Sequence, residues 1–167
     1  NIRDYALDKH KTVDDTPYGG GNGMIMKADV LASSLDANVK SGEKTIYLSP
    51  RGKVFNSKLA REFSNENSIN LICGHFEGVD ERILESRNIE EISIGDFVLS
   101  GGETASYVFL DAILRLIPGV IGNENSVAEE SFENGLLEYP QYTKPQIWEK
   151  KSVPDVLLSG DHAKIKD

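Results

Sequence analysis

The sequence predicts an α/β domain with a mainly parallel sheet and helices on both faces. Three short apolar β-runs, helix-like stretches between them, and a Gly- or Pro-rich loop closing each run carry that prediction. In chain order, the loop 14–24, DDTPYGGGNGM, comes first; its glycines and Pro17 are expected to exclude regular structure. A helix is expected next, with Val30, Leu31, Ser34, Leu35 and Val39 as its stripe and Gly42 as its stop. The first β-run, Thr45–Ser49, is closed by Pro50-Arg51-Gly52. Asn56 or Ser57 then caps a helix to about Asn65. The second β-run, Asn70–Cys73, is closed by Gly74. The third, Ile92–Ser100, is interrupted by Gly95 and closed by Gly101-Gly102. The last clear helix starts near Glu103, a carboxylate favoured in a first turn by the helix dipole. Its apolar residues are Ala105, Val108, Phe109, Ala112, Ile113, Leu116 and Ile117, and Pro118-Gly119 ends it.

Composition narrows the function class. The chain has 167 residues, 39% hydrophobic and 27% charged, enough for a buried core. The net charge of −9 argues against a protein that coats nucleic acid without specificity, because neutralising phosphates needs a basic surface; a local basic site stays compatible with it. No apolar run approaches the roughly 20 residues of a membrane span. A lone cysteine, Cys73, excludes a disulfide framework, points to the cytoplasm and reads as a small core residue. The polar start at Asn1 and the polar tail after Gly160 are expected to be the ends of a fragment.

In parallel sheets ligands bind beyond the carboxyl ends of the strands. Three such ends carry special loops here: Ser49-Pro50, Gly74–Gly78 and Ser100–Glu103. Together they predict one pocket. Each motif has a bland reading beside it. Gly19–Gly23 can cradle a phosphate with backbone N–H groups or be a flexible turn. His10, Lys11, Asp14 and Asp15 read as a solvated segment, and two adjacent carboxylates are a weak metal signal. GHFEGVDER, 74–82, places acids to orient a hydroxyl or a cation, or is a capped strand-to-helix turn with Asp80 and Glu81 at the helix start. ISIGDFVLSGGE, 92–103, offers an extended apolar backbone suited to an adenine ring, with Gly95 allowing close approach; it also reads as a bulged core strand. Tyr139–Pro145 alternates aromatic, Pro and basic residues, as a base-stacking surface or as a plain loop.

Taken in order, HKTVDDTPYGGGNGM, YLSPRG, GHFEGVDER, SIGDFVLSGGE, RLIPGVIG and EESFENGLLEYPQYTKP resemble the bacterial tRNA (guanine-N1)-methyltransferases from about Arg3 to Gly160. The resemblance implies a SPOUT-type α/β fold with a deep trefoil knot at the C-terminal side of the sheet. It implies a core over residues 1–160 lacking an N-terminal strand and helix. It also implies that 161–167 begin a linker to a missing basic tRNA-binding domain. It implies methyl transfer from S-adenosyl-L-methionine to N1 of guanosine-37 of tRNA, next to the anticodon, by a cytoplasmic homodimer whose active sites draw on both subunits. Mg2+ is a candidate ion with no assigned ligands. The implied cofactor positions are Tyr47, Leu48, Ser49, Pro50, Gly74, Glu77, Ser93, Ile94, Gly95, Asp96, Phe97, Val98, Leu99, Gly101 and Gly102. Substrate positions are His10, Asp14, Tyr18, Gly19, Gly20, Gly21, Ser126 and Glu138. The catalytic positions are Glu130 as general base and Arg115 as stabiliser of the guanine O6.

Four positions depart from the family pattern: His75 for a common Arg, Phe97 for Tyr, Lys144 for Arg, and Glu130 for the Asp proposed as base. Two other functions stay open at this point, a knotted methyltransferase acting on another RNA base and a noncatalytic nucleotide-binding module. Gly101 and Gly102 are expected to let backbone approach the cofactor. On that reading Gly102→Val abolishes cofactor binding in a folded protein.

Overall fold

A computed structural model describes residues 1–120 and 139–166, and the chain divides into two compact units, Asn1–Val127 and Ala128–Asp167. The first unit opens with a 3-10 turn, Ile2–Tyr5, capped by the Asn1 side chain. The loop expected to be irregular is bracketed by strands β1 (Asp14–Asp15) and β2 (Ile25–Met26), paired antiparallel. Two-residue strands leave no periodic trace, which is why the sequence reading missed this hairpin. Gly19, Gly20, Gly21 and Gly23, all at positive φ, turn the chain between them. Helix α1, Ala28–Asn38, follows. Its last turn gives way at Val39, whose backbone is extended, ahead of Gly42 at φ +88°.

Strand β3 runs Lys44–Val54, through the Pro50-Arg51-Gly52 expected to close it. The correction has a physical cause. Leu48 and Lys53 both pair with Ile92, so residues 49–52 bulge out of the ladder. Pro50, which has no N–H to donate, sits in that bulge. The Ser49 hydroxyl accepts the Arg51 N–H at 3.2 Å. A Cβ on Gly52 would lie 2.4 Å from the Glu91 carbonyl carbon, so the chain can rejoin its neighbour only through glycine.

Helix α2, Ser57–Ser64, starts where predicted, the Asn56 side chain accepting the Leu59 N–H at 3.0 Å. Strand β4, Ile69–Ile72, and helix α3, Glu81–Ser86, capped by Asp80, follow. Strand β5 spans only Glu90–Ser93, where the reading extended it to Ser100. Ser93 ends it: its hydroxyl takes the Gly95 N–H at 3.3 Å and donates to the Gly95 carbonyl at 3.1 Å, replacing the ladder with a local turn. Helix α4, Gly102–Leu114, closes the described part of this unit, with turns to Pro118-Gly119.

The main sheet has the order β4-β3-β5, all parallel. Alternate β3 side chains face opposite ways. Ile46 and Leu48 pack with Leu59 and Phe63 of α2 and Phe109 and Ile113 of α4, while Tyr47 packs with Leu31 of α1 and Ile83 and Leu84 of α3. The α/β sheet with helices on both faces is therefore as expected. Cys73 is half-buried rather than in the core. In the second unit, strands β6 (Ile147–Trp148) and β7 (Lys151–Ser152) form an antiparallel hairpin, followed by short helices α5 (Asp155–Leu158) and α6 (His162–Lys166). Among the described residues no helix is long and apolar enough to cross a membrane.

Candidate active site

The three loops at the carboxyl ends of β3, β4 and β5 meet around one cavity of about 310 Å³. Its walls follow from the features just described. The β3 bulge presents Tyr47, Leu48, Ser49 and Pro50. The turn after β4 presents Gly74 to Gly78. The early end of β5 frees Ile94 to Gly101 to curve over the top instead of continuing in the sheet. Every cofactor position named from the sequence lines this cavity except Asp96. The reading missed His75, Phe76, Gly78, Ile92, Ser100 and Ala105, although the first three lie between or beside positions it named.

Much of the lining is apolar or backbone. Among the lining residues Glu77 is the one carboxylate and His75 the one basic side chain. Tyr47 is buried, and that burial raises its hydroxyl above the ordinary value of 10.0, so it is a neutral hydrogen-bonding group at physiological pH. The close approach expected at Gly95 is made by the Phe97 ring, which a Cβ there would meet at 2.4 Å.

The expectation for Gly102 needs correcting. A Cβ on Gly102 would lie 2.7 Å from Cys73 Cα and 2.8 Å from Gly74 N, and the Gly102 N–H donates to the Gly74 carbonyl at 2.9 Å. Gly102 therefore lets α4 press on the chain leaving β4, which is a requirement of the fold. A Cβ on Gly101 would meet only the tips of side chains, Glu103 Oε2 at 2.7 Å and His75 Cε1 at 3.2 Å.

His75 Nε2 and Glu103 Oε1 are 2.5 Å apart, a second tie between the β4 loop and the start of α4. The His75 hydrogen bond holds the Glu103 carboxyl below its ordinary value of 4.5. A depressed carboxyl pKa adds stability that is fully present above that ordinary value and is lost as pH falls through the lowered one. Glu103→Gln should thus lower the melting temperature slightly at pH 7, and the gap to wild type should narrow as pH falls below the ordinary carboxyl value and through the lowered one. A gap that stays constant while the carboxyl is protonated would show that the His75–Glu103 hydrogen bond contributes nothing to stability.

The substrate positions divide. Tyr18 lines a separate cleft of about 720 Å³ together with Lys27, Asp29 and Arg82. His10, Asp14 and Gly19 to Gly21 line neither cavity. The glycine loop still reaches the smaller one. Glu77 N–H donates to the Met24 carbonyl at 2.9 Å, Met26 N–H to the Gly78 carbonyl at 2.9 Å, and a Cβ on Gly23 would strike the Glu77 side chain. Asp14 and Asp15 are neighbours in β1, so their side chains leave opposite faces of the strand and cannot clasp one ion together. Among the described residues no group of three or more His, Cys, Asp and Glu is placed to hold a metal. Arg115 is the C-cap of α4. Ser126, Glu130 and Glu138 lie outside the described residues.

Of the two cavities, the smaller has the better claim to the chemistry. It sits where parallel sheets bind ligands, and three separate loops build it.

The family tRNA (Guanine-1)-methyltransferase TrmD matches residues 1–167. The chain is similar to the tRNA (guanine-N(1)-)-methyltransferase of Pelagibacter ubique, 73% identical over 167 residues that cover 100% of this chain and 73% of that protein. It is 60% identical over 166 residues to the Bartonella quintana protein of the same name, covering 99% of this chain and 71% of that one. The Brucella canis protein, again of that name, is 56% identical over 164 residues, 98% of this chain and 67% of its own length.

Proposed function

The chain belongs to the tRNA (guanine-1)-methyltransferase family, and from that premise we propose how its residues carry out the reaction. It is an enzyme that methylates N1 of guanine in tRNA. The position methylated is guanosine-37, next to the anticodon.

S-adenosylmethionine fits the 310 Å³ cavity. The volume falls in the usual range of about 300–1,000 Å³ for ligand pockets. Apolar Leu48, Ile94 and Leu99 suit a flat adenine, and the glycine-rich backbone of the β4 and β5 loops suits its edge. Glu77 is placed for a hydroxyl or ammonium group. Bound there, the cofactor supplies a methyl group made electrophilic by a sulfonium.

The protein must make guanine N1 nucleophilic. N1 carries a proton, and removing it spreads negative charge onto O6. A base near N1 and a cation near O6 are required. Glu130 takes the proton. The Arg115 guanidinium is the cation that holds the O6 charge. The tie from Glu77 to the Met24–Met26 segment brings the glycine loop, with Tyr18 at its start, to the cavity edge, where it can hold the nucleotides around the target.

The observation that shapes this proposal is the length of α4. Ala105 is the α4 residue on the cavity nearest Arg115, and the C-cap Arg115 lies ten residues beyond it, about 15 Å along the helix at 1.5 Å per residue. No arginine side chain spans that distance, so the guanidinium comes from a second copy. The surface supports such a partner. Tyr107 and Leu114 are exposed on the side of α4 opposite Ala105, Phe109 and Ile113, and Val98 on the adjoining loop is 85% exposed. The proposed protein is a homodimer with shared active sites, on the knotted SPOUT form of the fold.

Two measurements test this. Methyl transfer should occur on tRNA transcripts with G after the anticodon and not on those with A. Arg115→Ala and Gly101→Leu should each be inactive. Equal mixing should restore about one quarter of wild-type rate, since half the dimers are mixed and each carries one intact site. No recovery after subunit exchange would place Arg115 in the same subunit's site and remove the sharing.

A further inference from the structure

The second unit carries an exposed aromatic–basic hairpin that the reaction scheme leaves unused. Ile147 and Trp148 of β6 are 64% and 61% exposed, and Tyr139 and Tyr142 nearby in sequence are exposed as well. Glu149 and Lys150, both at positive φ, form the two-residue turn to Lys151 of β7. The turn thereby sets Trp148 opposite Lys151 in register, with Lys150 at the tip. Residues 139–153 hold three lysines, Lys144, Lys150 and Lys151, against one acid, Glu149, a net of +2 in a chain whose net charge is −9. A flat ring left in solvent beside cations is costly to maintain without a partner, and a local positive patch in an acidic protein selects an anionic one.

We propose that the β6–β7 hairpin is a stacking platform for unpaired nucleotides of the RNA substrate, with Trp148 stacking on a base and Lys150 and Lys151 meeting the flanking phosphates. This rests on the proposed action on tRNA and extends it to a contact that the reaction scheme does not assign. Aromatic stacking suits unpaired nucleotides because every base offers a π-face, whereas a duplex hides its faces.

Trp148 is the chain's single tryptophan, so its fluorescence reports on this hairpin alone. A single-stranded RNA oligonucleotide titrated into the full chain should quench it, and a blunt RNA duplex of the same length should not. With tRNA as substrate, Trp148→Leu should raise KM roughly 5- to 150-fold, the span expected for one stacked base, and leave kcat nearly unchanged. Trp148→Phe should recover most of that loss, which separates stacking from a folding defect. Lys150→Gln with Lys151→Gln should flatten the salt dependence of KM. An unchanged KM in a Trp148→Leu protein that turns over normally would overturn the platform. So would equal quenching by the duplex. Absence of methyl transfer by wild type would instead overturn the proposed reaction, so the two failures are distinguishable.

Discussion

Glu130→Gln is expected to cost about 10²–10⁴-fold in turnover, the usual worth of a general base, while cofactor binding persists. The amide keeps the size and shape of the carboxylate but cannot take the N1 proton. Without that transfer the guanine stays neutral and N1 remains a poor nucleophile. Glu130→Asp should remain active, because Asp is the proposed base in the pattern this chain departs from, and either carboxylate can accept the proton. Single-turnover methylation with saturating cofactor, beside calorimetry of cofactor binding, separates chemistry from binding. Wild-type turnover in Glu130→Gln would remove this residue from the mechanism and direct attention to Asp14 or Glu138.

Gly102→Val should act on the fold first. Its Cβ would sit 2.7 Å from Cys73 Cα, against backbone rather than a yielding side-chain tip. Overpacking typically costs about 1–3 kcal/mol, and a backbone obstacle puts this case at or beyond the upper end. For a protein of this size a loss of about 3 kcal/mol lowers the melting temperature by roughly 6–12 °C. Gly101→Ala is the control. Gly101 is extended, at φ −172°, and its new Cβ would meet only the movable ends of Glu103 and His75. It should melt near wild type and show its effect in cofactor affinity. A Gly102→Val protein with the wild-type melting temperature would mean that α4 can back away from the β4 loop. The role of Gly102 would then return to cofactor approach.

These two residues mark different depths of legibility. Periodicity and caps are local, and they placed α1, α2 and α4 and the cores of β3 and β4 close to where the structure has them. The capped-turn reading of Asp80 and Glu81 also holds, the Asp80 side chain accepting the Arg82 N–H. The pocket was legible because strand ends in a parallel sheet share one edge. Three loops of unusual composition at those ends therefore had to come together. What failed has two causes, a side-chain hydrogen bond that outcompetes the ladder and a bulge set by a neighbouring strand. Ile94 to Leu99 look like strand, but the Ser93 hydroxyl takes the Gly95 backbone and turns the chain away. Pro50 looks like a stop, but a bulge absorbs it and β3 resumes against Ile92.

The sequence by itself determined the α/β class, the helices that cover the sheet, the three strand-end loops and, through six ordered motifs, the family. Each of these is written in spacing or residue order along the chain. Tertiary structure alone decided that Gly102 serves the contact between α4 and the β4 loop. It also decided that His75 pairs with Glu103, and that Arg115 stands ten residues along α4 from Ala105, which lines the cavity. The reason is physical: these are relations between segments far apart in the chain, fixed by close packing and by the rigid length of a helix, and no local pattern encodes a distance through space.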